Sequence, residues 1–468
     1  MSDHVSALDS VHRRNFLTSA GSVGLAAAFG LFARRSSATC KAAGYGPLSP
    51  VKDATTGLPL LCLPEGFRYL SYGWTHDRMD NGLPTPGAHD GMGVVRQTAS
   101  EITLIRNHER TTSPQRFAPE QDYWDSEGAG GCTALTFNPE AETWTGSRPA
   151  LAGSIRNCAG GPTPWGTWLT CEETVLGPGA INENRPLPLQ REHGWVFEVS
   201  PDGSSDPQPL KDMGRFVHEA VAVDPSTGIV YETEDRNTAG FYRFIPSSPG
   251  RLAAGGRLQM LRVAGKQDLR TGLKIGDRFD VTWVDIEDPQ RPHSPDSKTA
   301  ELPNGDELGV FRQGQAAGGS LFARLEGCWH SHGTIFLDAT TGGNAECGQI
   351  WQFVPAEQTL TLIYESPGKE ILDCPDNMCV SPRGGIVLCE DGSVSPQRIH
   401  GLTPDGQLFL LAANNVQLNE ERHSFKGDFR AQEWAGASFD STGKWFFVNI
   451  QTPGITFAIT GPWERGLL

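Results

Sequence analysis

Short apolar stretches recur along the chain from about Gly131 onward, and turn residues separate each stretch from the next. One unit, residues 218–246, reads HEAVAVDPSTGIVYETEDRNTAGFYRFIP, which is a strand, a turn, a second strand, a polar loop and an aromatic third strand. Similar units occupy residues 325–355, 376–406 and 433–459, and residues 157–203 follow the same plan with a longer insertion. This spacing predicts an all-β fold and, more specifically, a β-propeller of five to six irregular blades.

The predicted propeller forms a single domain over residues 39–468. A sixth blade is expected from the N-terminal part, where EITLIRNHE and CTALTFNP both have the pattern of strands. Residues 251–318 are charged and rich in proline, and we expect them to form a long inserted segment. A β-sandwich or two stacked barrels would also account for many short strands.

The first 38 residues have the pattern of an export signal. Arg13 and Arg14 precede a weakly apolar run over residues 17–32, and the small residues at 36–39 suit a peptidase. This combination is typical of a twin-arginine signal, with an amphipathic helix as the alternative, and the run is too short for a stable membrane span. We therefore expect a periplasmic or extracellular protein, monomeric, that leaves the cytoplasm through the twin-arginine export machinery.

The composition limits the partners of the protein. The formal net charge is −16, and a surface this acidic repels phosphate backbones, so nucleic acid is excluded and bound cations are favoured. Ten cysteines in an exported protein suggest disulfides. Cys374 and Cys379 are close enough in sequence to pair across a turn, whereas the acidic neighbours of Cys171 argue against a structural bridge there.

Polar residues recur at matched places in the repeated units. At the start of the first strand they are Asn157, Glu219, Glu326, Asn377 and Glu433. At the end of the second strand they are the pairs Glu172 and Glu173, Glu234 and Asp235, and Glu390 and Asp391. Matched positions on successive blades converge around the propeller axis, and carboxylates gathered there need cations to stay ionised. The pattern predicts a multi-metal site at the channel mouth, which Asn107 and Glu109 could join.

The ligand types indicate which metals this site would take. Carboxylate and amide oxygens suit calcium or magnesium, whereas a thiolate prefers iron, zinc or copper. Cys171 stands directly beside two glutamates in TWLTCEE. The sequence therefore predicts a mixed centre, with one softer metal together with calcium.

Several motifs in the chain resemble those of the PhoX-type alkaline phosphatases. They are TPWGTWLTCEE, GRFVHEA, FARLEG, NHE and FVNIQTPG, and the resemblance extends from about Leu61 to the C-terminus. It implies a propeller whose channel holds two ferric ions, an oxo bridge and calcium ions. It also implies hydrolysis of phosphate monoesters, and sometimes diesters, outside the cytoplasm.

The resemblance also implies roles for particular residues. Cys171 would bridge the two irons, with Glu219 ligating one and Glu326 the other. Arg324 would hold a substrate phosphate oxygen through its guanidinium group. The implied calcium ligands are Asn107, Glu109 and Glu173, and the further metal candidates are Glu172, Glu234, Asp235, Glu390 and Asp391.

The chain departs from the family pattern Arg-Pro-Glu-Trp, for which it has Arg324-Leu325-Glu326-Gly327, so the tryptophan after the ligating glutamate is missing. The change alters one wall of the expected site. Two other functions remain open at this point: a calcium-dependent, lactonase-like propeller and a non-catalytic binding propeller stabilised by calcium. Neither explains a thiolate among the ligands.

Overall fold

The structure, a computed structural model, describes residues 44–182, 185–203, 207–291 and 309–468. The predicted export signal lies outside these residues. Within them the chain forms thirty β-strands and one α-helix, α1 (Gly309–Ala316). No helix in this part of the chain is long and apolar enough to cross a membrane.

The strands form because aromatic and β-branched residues fill short segments between turns. In the strand Phe446–Ile450, with the sequence FFVNI, all five residues are buried. Burial of both faces arises because neighbouring sheets pack face to face, and it explains why several strands are continuously apolar rather than alternating.

Six antiparallel blades follow one another along the chain, and each begins with its innermost strand. The first blade consists of β4 (His89–Gln97), β5 (Ile102–His108), β6 (Gly131–Asn138) and β7 (Thr143–Ala152). The second consists of β8 (Asn157–Pro162), β9 (Trp168–Glu172) and β12 (Val196–Val199). The third consists of β13 (His218–Val223), β14 (Val230–Glu234), β15 (Phe241–Pro246) and β16 (Gly256–Val263).

The remaining three blades have four strands each. The fourth consists of β18 (Leu325–Ser331), β19 (Thr334–Ala339), β20 (Gln349–Val354) and β21 (Thr359–Glu365). The fifth consists of β22 (Pro375–Val380), β23 (Ile386–Glu390), β24 (Arg398–Leu402) and β25 (Leu408–Asn414). The sixth consists of β28 (Trp434–Phe439), β29 (Phe446–Ile450), β30 (Ile455–Thr460) and, from the N-terminal side, β3 (Arg68–Tyr72).

The six innermost strands form a closed ring. Each contacts the next in the order β4, β8, β13, β18, β22 and β28, and β28 contacts β4. The last blade takes its outer strand from the N-terminal part of the chain, since β3 pairs with β30. The predicted β-propeller is therefore confirmed, with six blades.

Additional strands extend or connect the blades. β1 (Leu48–Val51) and β2 (Leu61–Pro64) extend the fifth blade, and β17 (Arg278–Asp285) joins the outer edges of the third and fourth. Residues 251–318, expected as an insertion, thus supply β16 and β17 to the sheets. The hairpins β10 (Ile181–Asn182) with β11 (Arg185–Pro186), and β26 (Gln417–Asn419) with β27 (Lys426–Asp428), stand apart.

Candidate metal centre

Every innermost strand has an irregularity near its start. The pairing of the inner strand with the second strand slips within its first few residues in all six blades. Such bulges redirect a side chain away from the regular ladder. In the first five blades the slipped segment contains the second residue of the strand. We call these five residues the inner ring: Asp90, Cys158, Glu219, Glu326 and Asp376.

A second ring of polar residues directly follows the second strand of each blade. Glu109, Glu173, Asp235 and Asp391 occupy this place in the first, second, third and fifth blades. Gln451 occupies it in the sixth, where its amide donates a hydrogen bond of 2.9 Å to Glu109. The mouth of the channel is therefore lined by acidic groups from successive blades.

The two rings bring carboxylate oxygens close enough to share cations. Three groups have ligand atoms that all lie within 4.8 Å of one another. They are Asp90 with Glu109 and Glu433; Glu173 with Glu219 and Asp235; and Asp376 with Asp391 and Glu433. Glu433, directly before β28, links the first group to the third. With Glu326, which interacts with Asp376, these residues are called the mouth carboxylates below.

Burial and mutual repulsion disfavour the charged forms of these groups. Burial, followed by repulsion from Glu109, raises the pKa of Asp90 well above its usual range. Burial is also the largest cause that raises the pKa of Glu173 to about 8 and that of Asp376 to about 7. These carboxylates need positive charge among them to be ionised together, which is the property expected of a cation site.

Arg324 lies at the edge of this cluster, and its predicted contact with a substrate phosphate stays a prediction. Its Nε and Nη2 donate to the two oxygens of Asp235 at 2.8 and 3.1 Å, and Nη2 also contacts Glu326. Its side chain keeps 30% exposure. The guanidinium group is therefore oriented by two acids while part of it faces solvent at the mouth.

Glycines beneath the inner ring allow the inner strands to approach one another. A Cβ at Gly91 would lie 2.5 Å from the Cα of Ala159, on the neighbouring inner strand. A Cβ at Gly327 would lie 2.8 Å from the carbonyl oxygen of Asp376. This close approach draws the side chains of the inner ring together. It also leaves no room for a side chain at position 327, where the sequence analysis noted a missing tryptophan.

The structure separates the two members of each predicted acidic pair. Glu172, Glu234 and Glu390 are the last residues of their strands, and each is fully buried. Each accepts hydrogen bonds from protein donors, Glu234 through Oε2 alone, and none belongs to the three acidic groups. Successive side chains of a strand point to opposite faces, so only the following residue of each pair reaches the mouth. Their predicted role as metal ligands is not supported.

Glu172 illustrates this structural role. Its Oε1 contacts Nδ1 of His193 at 2.6 Å, and its Oε2 accepts hydrogen bonds from the backbone N–H groups of Gly194 and Trp195. Nε2 of the same histidine lies 3.2 Å from Asp125. The carboxylate is thus engaged inside the second blade.

Asn107 also lies away from the mouth. Its Nδ2 donates to the carbonyl oxygens of Cys158 and Ala159 at 2.9 and 2.7 Å. Its Oδ1 accepts hydrogen bonds from Trp168 and Thr170. Both ends of the amide are used to join the first and second blades, so the predicted calcium contact is not supported.

Cys171 is placed in an apolar core between blades. It is fully buried in a cluster with Leu169, Val196 and Val221 that also contains Cys158, and neither thiol belongs to the three acidic groups. The thiol at the matched position of the inner ring is instead Cys158. After burial, the largest causes that raise the pKa of Cys158 are Glu219 and Glu173, both mouth carboxylates.

The predicted disulfide between Cys374 and Cys379 is contradicted, because both thiols are free. Cys374 precedes β22 and Cys379 lies inside it. Five extended residues span roughly 16 Å and end on the opposite face of the strand. The cysteine next to Cys374 is Cys347, whose carbonyl oxygen accepts the Cys374 N–H at 3.1 Å.

Sequence reasoning missed Asp90, Cys158 and Asp376 as mouth residues. The sequence comparison aligned Asn157 and Asn377 with Glu219, whereas the bulges align Cys158 and Asp376 with it. The available signal was a polar residue or a cysteine as the second residue of the inner strand in the first five blades. Recognising it requires knowing the first residue of each of these strands.

Taken together, these features define a six-bladed propeller with an acidic mouth, in which three groups of carboxylates are placed so that each could hold a metal ion. The family model for alkaline phosphatase PhoX matches residues 43–150 and 145–454. The chain therefore belongs to the PhoX alkaline phosphatase family, as its motifs suggested. No curated protein matches the chain.

One solved structure supports the fold, and two others are similar at lower scores. The chain is similar to Pseudomonas fluorescens PhoX in complex with vanadate, a transition state analogue, at 16% identity and a TM-score of 0.64, over 90% of this chain and 99% of that chain. A gluconolactonase from Xanthomonas campestris is similar at 12% identity and a TM-score of 0.40, over 90% and 100% of the two chains. The WD40 β-propeller domain of Doa1 is similar at 9% identity and a TM-score of 0.39, over 85% and 99%.

Proposed function

We propose that this protein is an exported, metal-dependent phosphatase that hydrolyses phosphate esters at a mixed iron–calcium centre in the channel mouth. The observation that carries the proposal is the convergence of the mouth carboxylates and Arg324 in a member of a phosphatase family. Small-molecule phosphate esters are the proposed substrates, and the twin-arginine machinery is the proposed export partner.

The donor set fits the two metals. Carboxylate oxygens are the ligands that calcium prefers, and calcium accepts flexible arrangements of six to eight oxygens. Three carboxylates offer up to six oxygens, and water can supply the others. Cys158, between the acids of neighbouring inner strands, offers the sulfur ligand that iron prefers and calcium does not. We therefore assign the role of thiolate ligand to Cys158 rather than Cys171, with Glu219 and Glu326 as the neighbouring iron ligands. The remaining mouth carboxylates would hold calcium.

When bound, the cations would supply Lewis acidity toward the phosphate oxygens and an attacking water of lowered pKa. The residues of the chain contribute binding and orientation. Arg324, fixed by Asp235 and Glu326, presents a planar set of N–H donors that suits a phosphate oxygen. Its positive charge would stabilise the charge that spreads over the phosphoryl oxygens in the transition state.

The test is hydrolysis of a chromogenic phosphomonoester by the mature protein, before and after removal of metals with a chelator. We expect turnover that is lost with the metals and restored by iron plus calcium. Arg324→Met should raise KM, while Arg148→Met, which removes an arginine from the outer strand β7, should behave as wild type. Calcium binding without phosphatase turnover would instead indicate a lactonase-like or non-catalytic binding propeller.

A further inference from the structure

A second arginine occupies the place in the second blade that Arg324 occupies in the fourth. Arg156 lies two residues before Cys158, as Arg324 lies two residues before Glu326. Both have left-handed backbones, with φ of 46° and 47°. Ala88 and Cys374, two residues before inner-ring residues of the first and fifth blades, share this conformation with φ of 50° and 53°. The strained turn is therefore a repeated feature of the blades, and two of them use it to place an arginine at the mouth.

The contacts of Arg156 parallel those of Arg324. Its Nη2 donates to Oε2 of Glu173 at 2.8 Å, and its Nε lies 3.5 Å from Oε1 of Glu109. That Nε–H has no hydrogen-bond partner among the described residues. The side chain keeps 26% exposure, close to the value for Arg324. Arg156 is thus oriented by two mouth carboxylates and retains donor capacity toward the mouth.

The two arginines contact the same acidic group through different members of it. Arg156 binds Glu173, Arg324 binds Asp235, and these two acids share one group whose ligand atoms lie within 4.8 Å. A ligand centred over that group would meet both guanidinium groups. Two guanidinium groups suit an anionic ligand. Because the nine mouth carboxylates outnumber the two arginines, an anion can bind there only when cations are already in place.

We propose that Arg156 is a second phosphate-binding residue, which engages a different non-bridging oxygen of the substrate from the one that Arg324 engages. This inference rests on the proposed phosphatase function. A phosphomonoester has three non-bridging oxygens, enough to serve both arginines and the cations, whereas a diester has two. Arg156 should therefore favour monoesters over diesters.

The experiment uses calorimetric titration of inorganic phosphate into the metal-loaded mature protein and its variants. Arg156→Met removes the guanidinium group, Arg156→Lys keeps the charge without the planar fork, and Arg148→Met is the matched control. Arg148 keeps 33% exposure on β7, where it pairs with Asp202 away from the mouth. Metal content is measured for each variant, together with kcat and KM for a monoester and a diester.

We expect Arg156→Met to weaken phosphate binding about tenfold or more, the effect of one lost charge-assisted hydrogen bond. The lysine variant should lie between Arg156→Met and wild type, and metal content should stay unchanged. The change should appear in KM more than in kcat, and the loss in kcat/KM should be larger for the monoester than for the diester.

Two results would overturn the inference while leaving the proposed function intact. One is phosphate binding by Arg156→Met equal to that of wild type. The other is that Arg156→Met loses both its metals and its ability to bind phosphate. That result would show that Arg156 supports the metal site instead of binding the substrate. Wild-type protein that binds no phosphate and hydrolyses no ester would overturn the proposed function and the inference with it.

Discussion

Glu390 and Asp391 are adjacent in the chain but have different roles in the structure, and substitution of each one tests this difference. Glu390 is fully buried and accepts two hydrogen bonds of 2.7 Å from Arg398 and one of 2.8 Å from the Asp373 N–H. Asp391 belongs to an acidic group at the mouth with Asp376. We predict that Glu390→Gln destabilises the fold and that Asp391→Asn empties the metal site.

The size of the first effect follows from the ion pair. Removal of one partner from a buried pair costs about 3–5 kcal/mol, because the other charge remains buried without compensation. Arg398 keeps 15% exposure and also donates to the carbonyl oxygens of Lys369 and Glu370. Its charge therefore remains partly solvated and hydrogen-bonded after Glu390 is replaced. We therefore expect Glu390→Gln to lower the free energy of unfolding by about 3 kcal/mol.

Asp391→Asn should have the opposite pattern. Removal of one carboxylate from a crowded acidic group relieves like-charge repulsion in the metal-free protein, so its unfolding free energy should be unchanged or higher. The same substitution removes an oxygen ligand with its charge, and the metal content should fall.

The assay is urea unfolding of both variants in a chelator, so that bound metal does not add to stability. Metal content per chain is then measured on the reconstituted proteins. Glu390→Gln should unfold at lower urea with its metals retained, and Asp391→Asn should show the reverse. Metal loss in Glu390→Gln without destabilisation, or destabilisation of Asp391→Asn in the chelator, would refute the division of roles.

Three further predictions concern other parts of the molecule. Burial lowers the pKa of His193, but its carboxylate neighbours outweigh burial and raise it to about 9. Protonated His193 should therefore add about 3 kcal/mol to the free energy of unfolding below about pH 6.5, and this stabilisation should be lost as the pH rises through about 9. In His193→Gln, the urea midpoint should depend less on pH over this range. Cys158→Ser should lower the iron content measured by plasma mass spectrometry whereas Cys171→Ser should not, and equal iron in both variants would contradict our assignment. Gly327→Ala should lower both the melting temperature and the metal content, because its methyl group would press on a neighbouring inner strand; thermal unfolding like that of wild type would contradict this steric argument.

The propeller was predictable from the sequence because every blade repeats the same order of strands and turns. Glu219, Asp235 and Asp391 were predictable for the same reason, since they recur at one place in successive units. The repeats identify equivalent positions in successive blades. Closure of the six inner strands into a ring then brings the side chains at these positions close together.

The side of the sheet on which each carboxylate lies could not be predicted. Glu172 and Glu173 are adjacent and chemically equivalent, and a difference of one residue in the strand end decides which of them faces the mouth. The bulges at the strand starts had a similar effect. In the second blade, the bulge places Cys158, and not Asn157, at the position equivalent to Glu219. The prominence of Cys171 in its acidic motif therefore drew attention away from Cys158, which the bulge places at the matched position of the inner ring.

The most direct test of the proposed centre is the metal content of the mature wild-type protein, measured by plasma mass spectrometry after purification without added metals. We predict iron together with calcium in the wild-type protein, and loss of both metals from a variant in which Glu219 and Asp235 are replaced by glutamine and asparagine. Wild-type protein without iron, or with calcium alone, would contradict the proposed iron–calcium centre.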